Sequence, residues 1–339
     1  MEKIDILSLN REELTAELTA MGEKAFRAKQ IYDWLHVKKV TEFSQMSNIS
    51  AQLQAKLDDK FCIKSLIIKK RLVSAIDNTV KYLYGLPDGE SVESVLMEYK
   101  HGNSLCISTQ VGCKMGCRFC ASTIAGFVRD LLPSEILLQV YESERDSGRH
   151  VDSIVLMGIG EPLDNYDNVL KFLELLNSGG EGLSLRHVSL STCGVVDKIY
   201  ELAKLKTGLT LSISLHAATD EKRSSIMPIN RKYNLEQLMT ACRHYFKETG
   251  RRISFEYSLI EGVNDTAESA DELIKLLGGM LCHVNLIPIN EISERDYRKS
   301  RSVEQFRKRL CDAGINATVR RTLGADIQAA CGQLRRDEQ

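Results

Sequence analysis

The features that this sequence lacks narrow its class first. No apolar run in the 339 residues approaches the roughly 20 residues that a membrane-spanning helix needs. The stretch Met1 to Asp5 lacks the basic and then apolar pattern of a secretory signal peptide. Low-complexity tracts and internal repeats are also missing, which excludes repeat architectures. We therefore expect a cytoplasmic globular protein, long enough for one large domain and a smaller one, with no membrane partner.

An excess of positive charge is missing as well. The 45 Lys and Arg residues and the 46 Asp and Glu residues give a net charge of -1 at pH 7. No global basic field therefore attracts nucleic acid. RNA binding is not excluded, because phosphate groups need only a local basic patch.

Cysteine, in contrast, is plentiful, with ten residues. In a reducing cytosol these are more readily thiols, metal ligands or catalytic groups than structural disulfides. Cys113, Cys117 and Cys120 follow a C-x3-C-x2-C spacing with Gly112 and Gly116 beside them. Both glycines can adopt positive φ, which allows a short loop to curl around an inorganic core.

This triplet predicts an iron-sulfur site. Cysteine thiolates are the standard ligands of such clusters, and a [4Fe-4S] cluster held by three cysteines keeps one iron open. Two alternatives remain. A structural zinc ion would need a fourth ligand, from Cys106 or His101. Unligated core cysteines are the other alternative, although these rarely cluster with glycines.

Residues 1–62 are predicted to form a small helical domain. Asn10 and Glu13 fit a capping box at the start of the first helix. The second helix is expected to carry these apolar residues on one side: Phe26, Ile31, Trp34 and Leu35. The basic residues of this unit form either a solvated face or an RNA contact: Lys24, Arg27, Lys29, Lys38 and Lys39.

Residues 63–100 are predicted to form a β-hairpin or meander that connects this domain to the rest. Alternating residues indicate strands at Leu66–Leu72, Thr79–Leu86 and Ser91–Tyr99. Glu93 lies in the last of these strands, where a glutamate by itself usually faces solvent.

Residues 101–325 alternate between strand and helix patterns, which predicts an α/β fold with parallel strands. The predicted strands are Leu105–Ser108, Ser153–Met157, His187–Ser191, Leu209–Leu215, Ser254–Leu259 and Val284–Pro288. The predicted helices are Ser134–Glu144, Tyr166–Leu176, Asp197–Leu205, Leu235–Phe246, Glu268–Leu277 and Val303–Ala313. Six units are fewer than the eight of a complete TIM barrel, so we expect an open, partial (βα)6 TIM-like barrel with its site at the carboxyl ends of the strands.

Polar residues follow several of these predicted strands. Gly160 would permit close backbone approach, and Glu161 would accept from an ammonium or amide group. The residues after the third, fourth and sixth strands are Ser191, Ser214, Leu215, His216 and Asn290. Each is ordinary at a strand end, but their common location indicates a ligand site.

Two further cysteines stand apart from the triplet. Cys106 lies on the first predicted barrel strand, and Cys331 lies in the C-terminal tail, residues 326–339. A terminal cysteine beside a glycine favours an exposed or active-site thiol, although an inert tail remains open. No chemistry is assigned to the other cysteines: Cys62, Cys193, Cys242, Cys282 and Cys311.

The triplet spacing is similar to that of radical S-adenosylmethionine (SAM) enzymes, and motifs along essentially the whole chain resemble the RlmN branch of the RlmN/Cfr family of RNA methyltransferases. The matching segments are Val92–Val95, Leu105–Cys106, Ser108–Cys113, Met157–Pro162, Ser191–Val196, Ser214–Ala217, Met227–Asn230, Val284–Pro288 and Ala329–Leu334.

The resemblance implies a radical SAM barrel that methylates carbon 2 of one adenosine in 23S rRNA, and of an adenosine next to the anticodon in some tRNAs. It places the [4Fe-4S] cluster on the cysteine triplet and SAM at Gly160, Glu161, Ser191, Ser214, Leu215, His216 and Asn290. Two SAM molecules are consumed per turnover. One methylates Cys331, and the radical from the second removes a hydrogen from that methyl group, which then adds to the adenine. Glu93 takes the ring proton, and Cys106 resolves the protein-RNA crosslink through a transient disulfide with Cys331.

The resemblance also implies an electron donor such as flavodoxin or ferredoxin, and a monomer is the default expectation. The nearest alternative is a Cfr-type enzyme that methylates carbon 8 of the same adenosine. Pro162 and Ile287–Pro288 favour the RlmN branch, whereas Ile159 and Cys193 stand where methionine and serine are common.

A non-catalytic iron-sulfur RNA-binding protein is the alternative from another class. Such a protein would not need Cys331, Cys106 or Glu93. Phosphate contacts are expected from local basic groups: Lys69, Lys70, Arg71, Arg320 and Arg321.

Overall fold

The N-terminal part of the computed structural model, which describes residues 3–179 and 182–335, is helical as predicted. Its elements are β1 (Ile4–Asp5), α1 (Arg11–Ala20), α2 (Phe26–His36), α3 (Ala51–Lys60) and β2 (Phe61–Cys62). The short strands β1 and β2 pair in parallel and close the unit. The capping box is confirmed: the Glu13 backbone N–H donates to Asn10 Oδ1, and the Asn10 backbone N–H donates to Glu13 Oε2, both at 2.8 Å. Phe26 is 54% exposed, so its predicted place on the buried side of α2 is wrong.

Three antiparallel strands follow: β3 (Ile67–Val73), β4 (Val80–Gly85) and β5 (Ser91–Tyr99). They do more than connect two parts, because β5 pairs with the first barrel strand and extends the same sheet. Both faces of β5 are covered between Ser91 and Met97, so Glu93 is buried. The expectation that a strand glutamate faces solvent is therefore wrong here.

The first barrel strand is β6 (Gly102–Cys106), and a two-stranded antiparallel ribbon follows it. The ribbon consists of β7 (Gln110–Gly112) and β8 (Phe127–Asp130), and it flanks the cysteine triplet on both sides. Such short strands carry too little periodicity for a sequence pattern to predict them.

The remaining elements continue the βα alternation. They are α4 (Pro133–Ser147), β9 (Ser153–Leu156), α5 (Tyr166–Ser178), β10 (Val188–Thr192), α6 (Val196–Lys204), β11 (Thr210–Ser214), α7 (Asp220–Ile226), α8 (Leu235–Thr249), β12 (Ile253–Leu259), α9 (Ala267–Leu277), β13 (Cys282–Pro288), α10 (Val303–Asp312) and β14 (Ala317–Val319). The six predicted strand-helix units are confirmed. The short helix α7 and the short edge strand β14 are additions that the sequence pattern did not show.

Within the described residues, ten strands form one open sheet in the order β14-β13-β12-β11-β10-β9-β6-β5-β4-β3. Every pairing from β6 to β14 is parallel. This arrangement confirms the open, partial TIM-like barrel, and it brings the carboxyl ends of seven parallel strands to one edge.

The helical unit packs on the barrel helices α4 and α5. Lys171 Nζ lies 2.6 Å from Glu13 Oε2, and His36 Nδ1 lies 3.0 Å from the Tyr141 hydroxyl. Apolar side chains of both parts belong to one continuous core. Among the described residues, no helix is long and apolar enough to cross a membrane.

Candidate active site

A cavity of about 130 Å³ lies at the carboxyl ends of the barrel strands. It is lined by the cysteine triplet, by strand-end residues and by the C-terminal tail. The sequence-predicted site residues in its lining are Cys113, Cys117, Cys120, Gly160, Glu161, Ser191, Ser214, His216, Asn290 and Cys331. The fold therefore brings together residues that are spread over most of the chain.

Three predicted residues do not line this cavity. Leu215 is fully buried behind it, and its carbonyl oxygen accepts from Arg223 Nε at 3.1 Å. Cys106 lines a smaller adjoining cavity of about 30 Å³, which Cys331 and Asn290 also line. Glu93 lines neither cavity.

The cysteine triplet occupies a tightly turned loop between β7 and β8. Gly112 has φ +74° and Gly116 has φ +71°, so the predicted positive φ values are confirmed. A Cβ on Gly112 would lie 1.7 Å from the carbonyl oxygen of Gly126, across the ribbon. The loop is thus closed at its base by a contact that only glycine permits.

The donor set fits a multinuclear iron-sulfur core. Burial raises the pKa of all three thiols, that of Cys113 to about 12, because a buried thiolate loses its hydration. Among the described residues, no group of three candidate ligands converges on a single metal ion, yet the three thiols line one cavity. His101 and Cys106, the fourth ligands that a zinc site would use, lie outside this lining. Neither of the fourth ligands considered for a zinc site therefore lies with the triplet in this cavity.

Glu161 is held in place by backbone N–H groups. Its Oε2 accepts from the Cys193 N–H at 2.7 Å, and its Oε1 accepts from the Leu163 N–H at 3.0 Å. Burial raises the pKa of Glu161, and these hydrogen bonds lower it. Gly160 has φ +109°, and a Cβ there would lie 2.7 Å from the Cβ of Gln110. A side chain at position 160 would push this turn out of the cavity.

His216 is a neutral donor at the cavity wall. Its Nδ1 accepts from the Ser258 N–H at 2.8 Å, which leaves the proton on Nε2. Burial, with a smaller contribution from Arg223, lowers the pKa of His216 to about 3. The ring packs edge to face against Phe119, with 4.8 Å between the ring centroids. Phe119 belongs to the loop of residues 113–126 that carries the cysteine triplet, which is called the cluster loop below. His216 therefore offers an N–H group over the whole physiological pH range.

The tail closes one side of the cavity. The Gly332 carbonyl oxygen accepts from the Ala121 N–H at 2.8 Å, and the Leu334 carbonyl oxygen accepts from the Ser122 hydroxyl at 2.9 Å. Asn290 Nδ2 donates to the Cys331 carbonyl oxygen at 3.0 Å. These bonds hold Cys331 beside the cluster loop. The described part of the chain contains no disulfide bond, so the predicted disulfide between Cys106 and Cys331 is not present.

Both carboxylate oxygens of Glu93 are occupied. Lys81 Nζ lies 2.7 Å from Oε1, and the Arg335 backbone N–H donates to Oε2 at 2.7 Å. Burial raises the pKa of Glu93, and Lys81 lowers it. The tail and the strand pair β4–β5 therefore meet at this carboxylate.

Sequence reasoning did not place three charged residues at the cavity. Glu256 and Arg320 line it, with Arg320 Nη1 at 4.0 Å from Glu256 Oε2, and Arg223 lies buried behind it. A glutamate within the apolar strand Ile253–Leu259 was the available signal for Glu256. Arg320, for which the sequence predicts a phosphate contact, lines this cavity, and its contact with RNA stays a prediction.

The other expected phosphate contacts are partly engaged within the protein. Lys69 Nζ donates to the Ser91 hydroxyl at 2.8 Å, and Arg71 Nε lies 2.6 Å from Asp146 Oδ2. Their role in RNA binding stays a prediction.

Two family models match the chain. Residues 4–63 match the ribosomal RNA large subunit methyltransferase N-terminal domain, and residues 107–277 match the radical SAM superfamily. The chain is 53% identical over 341 residues to a probable dual-specificity RNA methyltransferase RlmN of Lachnoclostridium phytofermentans, covering 99% of this chain and 95% of that protein. It is 52% identical over 336 residues to the one of Clostridium novyi, covering 98% of each.

The chain belongs to the RlmN family. Family membership makes it a radical SAM RNA methyltransferase and implies a [4Fe-4S] cluster and SAM as cofactors.

Solved structures agree with this membership. A radical SAM methyltransferase from Sphaerobacter thermophilus is 38% identical and superposes with a TM-score of 0.93, covering 98% of this chain and 99% of that one. SuiB of Streptococcus suis, in a complex with S-adenosylmethionine, has a TM-score of 0.50 at 13% identity, over 64% of this chain and 50% of that one. The second likeness concerns the fold alone.

Proposed function

We propose that this RlmN-family enzyme methylates carbon 2 of a specific adenosine in 23S rRNA, and of an adenosine next to the anticodon in some tRNAs. The observation that supports this most is the placement of Cys331 in the same cavity as the cysteine triplet, with Cys106 in the cavity next to it. Carbon 2 of adenine is not nucleophilic, so ordinary methyl transfer from SAM cannot reach it. A carbon radical can.

Cys113, Cys117 and Cys120 would hold the cluster, whose chemistry is the one-electron cleavage of SAM to a carbon-centred radical. Glu161 would accept from the amino group of SAM, in an orientation fixed by its two backbone hydrogen bonds. Ser191, Ser214, His216 and Asn290 would supply polar contacts around the same ligand. A donor such as flavodoxin or ferredoxin would supply the electron.

Cys331 would carry the methyl group between SAM and RNA. Its thiolate Sγ would attack the methyl carbon of one SAM molecule, so that an S–CH3 bond forms, the sulfonium–methyl bond breaks and S-adenosylhomocysteine leaves. The radical from a second SAM would then remove one hydrogen atom from that methyl group, and the remaining CH2 radical would add to carbon 2. Cys331 would thereby be joined covalently to the RNA.

Glu93 and Cys106 would release the product. The ring radical formed by this addition would lose one electron, for which the cluster would be the acceptor, and Glu93 would take the proton from carbon 2. The Cys106 thiolate would then attack Cys331 Sγ, so that a transient disulfide forms and the bond from Cys331 Sγ to the methylene carbon breaks. That carbon would take up a proton and become the methyl group of the released base, and a thiol reductant would restore both cysteines. The Arg335 N–H and Lys81 each use one acceptor position of the Glu93 carboxylate, and withdrawal of the tail would free one of these positions for the substrate.

The target adenosine must be unstacked to enter this cavity. The helical unit and the strands β3–β5 would then grip the surrounding RNA, and a monomer would suffice for the reaction.

Nucleoside mass spectrometry tests the proposal. A 23S rRNA fragment and a tRNA would each be incubated with anaerobically cluster-reconstituted protein, SAM and a reductant. We expect 2-methyladenosine in the digest. Formation of 8-methyladenosine would assign the chain to Cfr-type chemistry. No methylated adenosine, with an intact cluster and an active control enzyme, would refute the proposed reaction.

A further inference from the structure

Arg223 is a buried cation to which the proposed reaction gives no role. It lies on α7, just after the carboxyl end of β11, and its relative exposure is 0%. No carboxylate of the described residues forms a salt bridge with it, although it carries four hydrogen bonds. A buried charge without an ionic partner is costly unless its donors are satisfied. The polar atoms that satisfy this one therefore indicate what it does.

Most of these hydrogen bonds go to the ends of two neighbouring strands. Nε donates to the Leu215 carbonyl oxygen at 3.1 Å, and Nη2 donates to the carbonyl oxygens of Ser214 at 3.1 Å and Cys193 at 2.6 Å. Nη1 donates to Asn230 Oδ1 at 2.9 Å. The planar guanidinium thus ties the loop after β10 to the loop after β11. An ammonium group has no comparable fork of donors.

Both loops form the wall of the cavity at which SAM is proposed to bind. The Cys193 peptide is held from both sides, because its carbonyl oxygen accepts from Arg223 while its N–H donates to Glu161. Leu215, whose carbonyl oxygen also accepts from Arg223, lies between Ser214 and His216, and both of these residues line the cavity. A shift of Arg223 would therefore move Glu161 and both strand ends relative to each other.

The helix that carries Arg223 is also tied to the cluster loop. The Arg118 backbone N–H donates to the Ile226 carbonyl oxygen at 2.9 Å. Ile226 and Met227 belong to a small apolar cluster against which Cys117 and Phe119 pack. Arg223 thus lies where the cluster loop, the Glu161 turn and two strand ends are joined.

We infer that Arg223 is a positioning residue that sets the spacing of the β10 and β11 strand ends and so gives the SAM-binding wall its shape. This inference rests on the proposed function, in which that cavity binds SAM at the cluster. Arg223 acts through the backbone of Cys193, Ser214 and Leu215.

The test measures SAM binding, separately from RNA methylation. Full-length wild-type, Arg223→Lys and Arg223→Gln proteins would be cluster-reconstituted, and iron per chain, thermal unfolding and the SAM dissociation constant would be measured. We expect both variants to keep the iron of the wild type and to bind SAM about tenfold more weakly or worse, since small misplacements of binding groups are costly. In both variants, a correspondingly higher SAM concentration should be required to produce the change that SAM causes in the electron paramagnetic resonance spectrum of the reduced cluster.

Lys222→Met is the matched control on the same helix. Lys222 Nζ lies 2.7 Å from Glu272 Oε2 and 3.1 Å from the Ser269 hydroxyl, so it contacts α9 instead of the strand ends. We expect its SAM affinity to match the wild type even if its unfolding temperature falls.

Three results would overturn the inference. They are wild-type SAM affinity in both Arg223 variants, an equal loss of affinity in Lys222→Met, and loss of iron from both Arg223 variants but not from the control. A wild-type protein that holds iron but binds no SAM would refute the proposed function itself, and the inference with it.

Discussion

In the proposed reaction, Cys331 carries the methyl group from SAM to RNA. Cys331→Ala should reduce methylation to below about 1% of wild type, because loss of a covalent nucleophile removes the whole route. Iron content should not change, since the cluster ligands are intact. Nucleoside mass spectrometry and iron analysis check this, with Cys311→Ala, an exposed cysteine on α10, as the control. Appreciable methylation by Cys331→Ala would contradict the proposal.

Cys106 should give a different phenotype from Cys331. Without the resolving thiol, the bond between Cys331 and the RNA persists, so Cys106→Ala should accumulate a covalent protein-RNA adduct. Denaturing gel electrophoresis with labelled RNA would show it. Normal turnover without an adduct would remove the resolving role from Cys106.

Lys81 affects the pKa of Glu93, the proposed base. Burial raises the pKa of Glu93 and Lys81 lowers it, so Lys81→Met should raise this pKa further. Glu93 must be ionised to take a proton, so activity is present above its pKa and is lost as pH falls through it. The acid limb of the pH–rate profile should therefore move to higher pH. Arg71→Met removes an ion pair from the same sheet and should leave the limb in place; an unchanged limb in Lys81→Met would show that Glu93 is not the base.

At the scale of elements, the ribbon β7–β8 holds the cluster loop closed. Gly112 and Gly126 both have positive φ, but they differ in the space around them. A Cβ added at Gly112 would lie 1.7 Å from a carbonyl oxygen, whereas a Cβ added at Gly126 would have open space. Gly126→Ala should cost about 1 kcal/mol from its conformation alone. Gly112→Ala should cost about 3 kcal/mol or more, because the ribbon must open.

Iron content after reconstitution and chemical unfolding would compare the two glycine variants. We expect Gly112→Ala to lose most of its iron and Gly126→Ala to keep it. Equal iron in both variants would mean that the ribbon is not needed to hold the triplet.

At the scale of the whole molecule, RNA binding must come from local surfaces because the net charge is -1. Lys24 and Lys29 are exposed on either side of the exposed Phe26, and neither forms a salt bridge within the described part of the chain. The pair Lys24→Glu and Lys29→Glu should weaken RNA binding and lower the slope of log affinity against log salt by about 1.5.

Fluorescence anisotropy over a series of salt concentrations would measure this slope. The control is Lys204→Glu with Lys247→Glu, which makes the same charge change on the barrel helices α6 and α8. It should keep the wild-type slope. Equal slopes in both double variants would remove the helical unit as an RNA contact.

Local sequence was sufficient for the features whose pattern is short-range. The triplet with its glycines, the capping box at Asn10 and the six strand-helix units each depend on residues that are near neighbours in the chain. Their spacing is repeated in the structure, since helix and strand periodicity and loop chirality are local properties. The strand-end residues were also foreseeable, because parallel strands must bring their carboxyl ends to one edge.

Only the folded chain decided which side chains meet. Glu93 contacts Lys81 and the tail because β5 joins the barrel sheet and is covered on both faces. Arg320 lines the cavity because it follows β14, which adds to the edge of that sheet. Arg223 could not be told from a solvated helix residue until α7 was placed against two strand ends. These outcomes depend on pairing between distant segments, which follows from the burial of apolar surface by the whole chain and leaves no periodic trace near the residue itself.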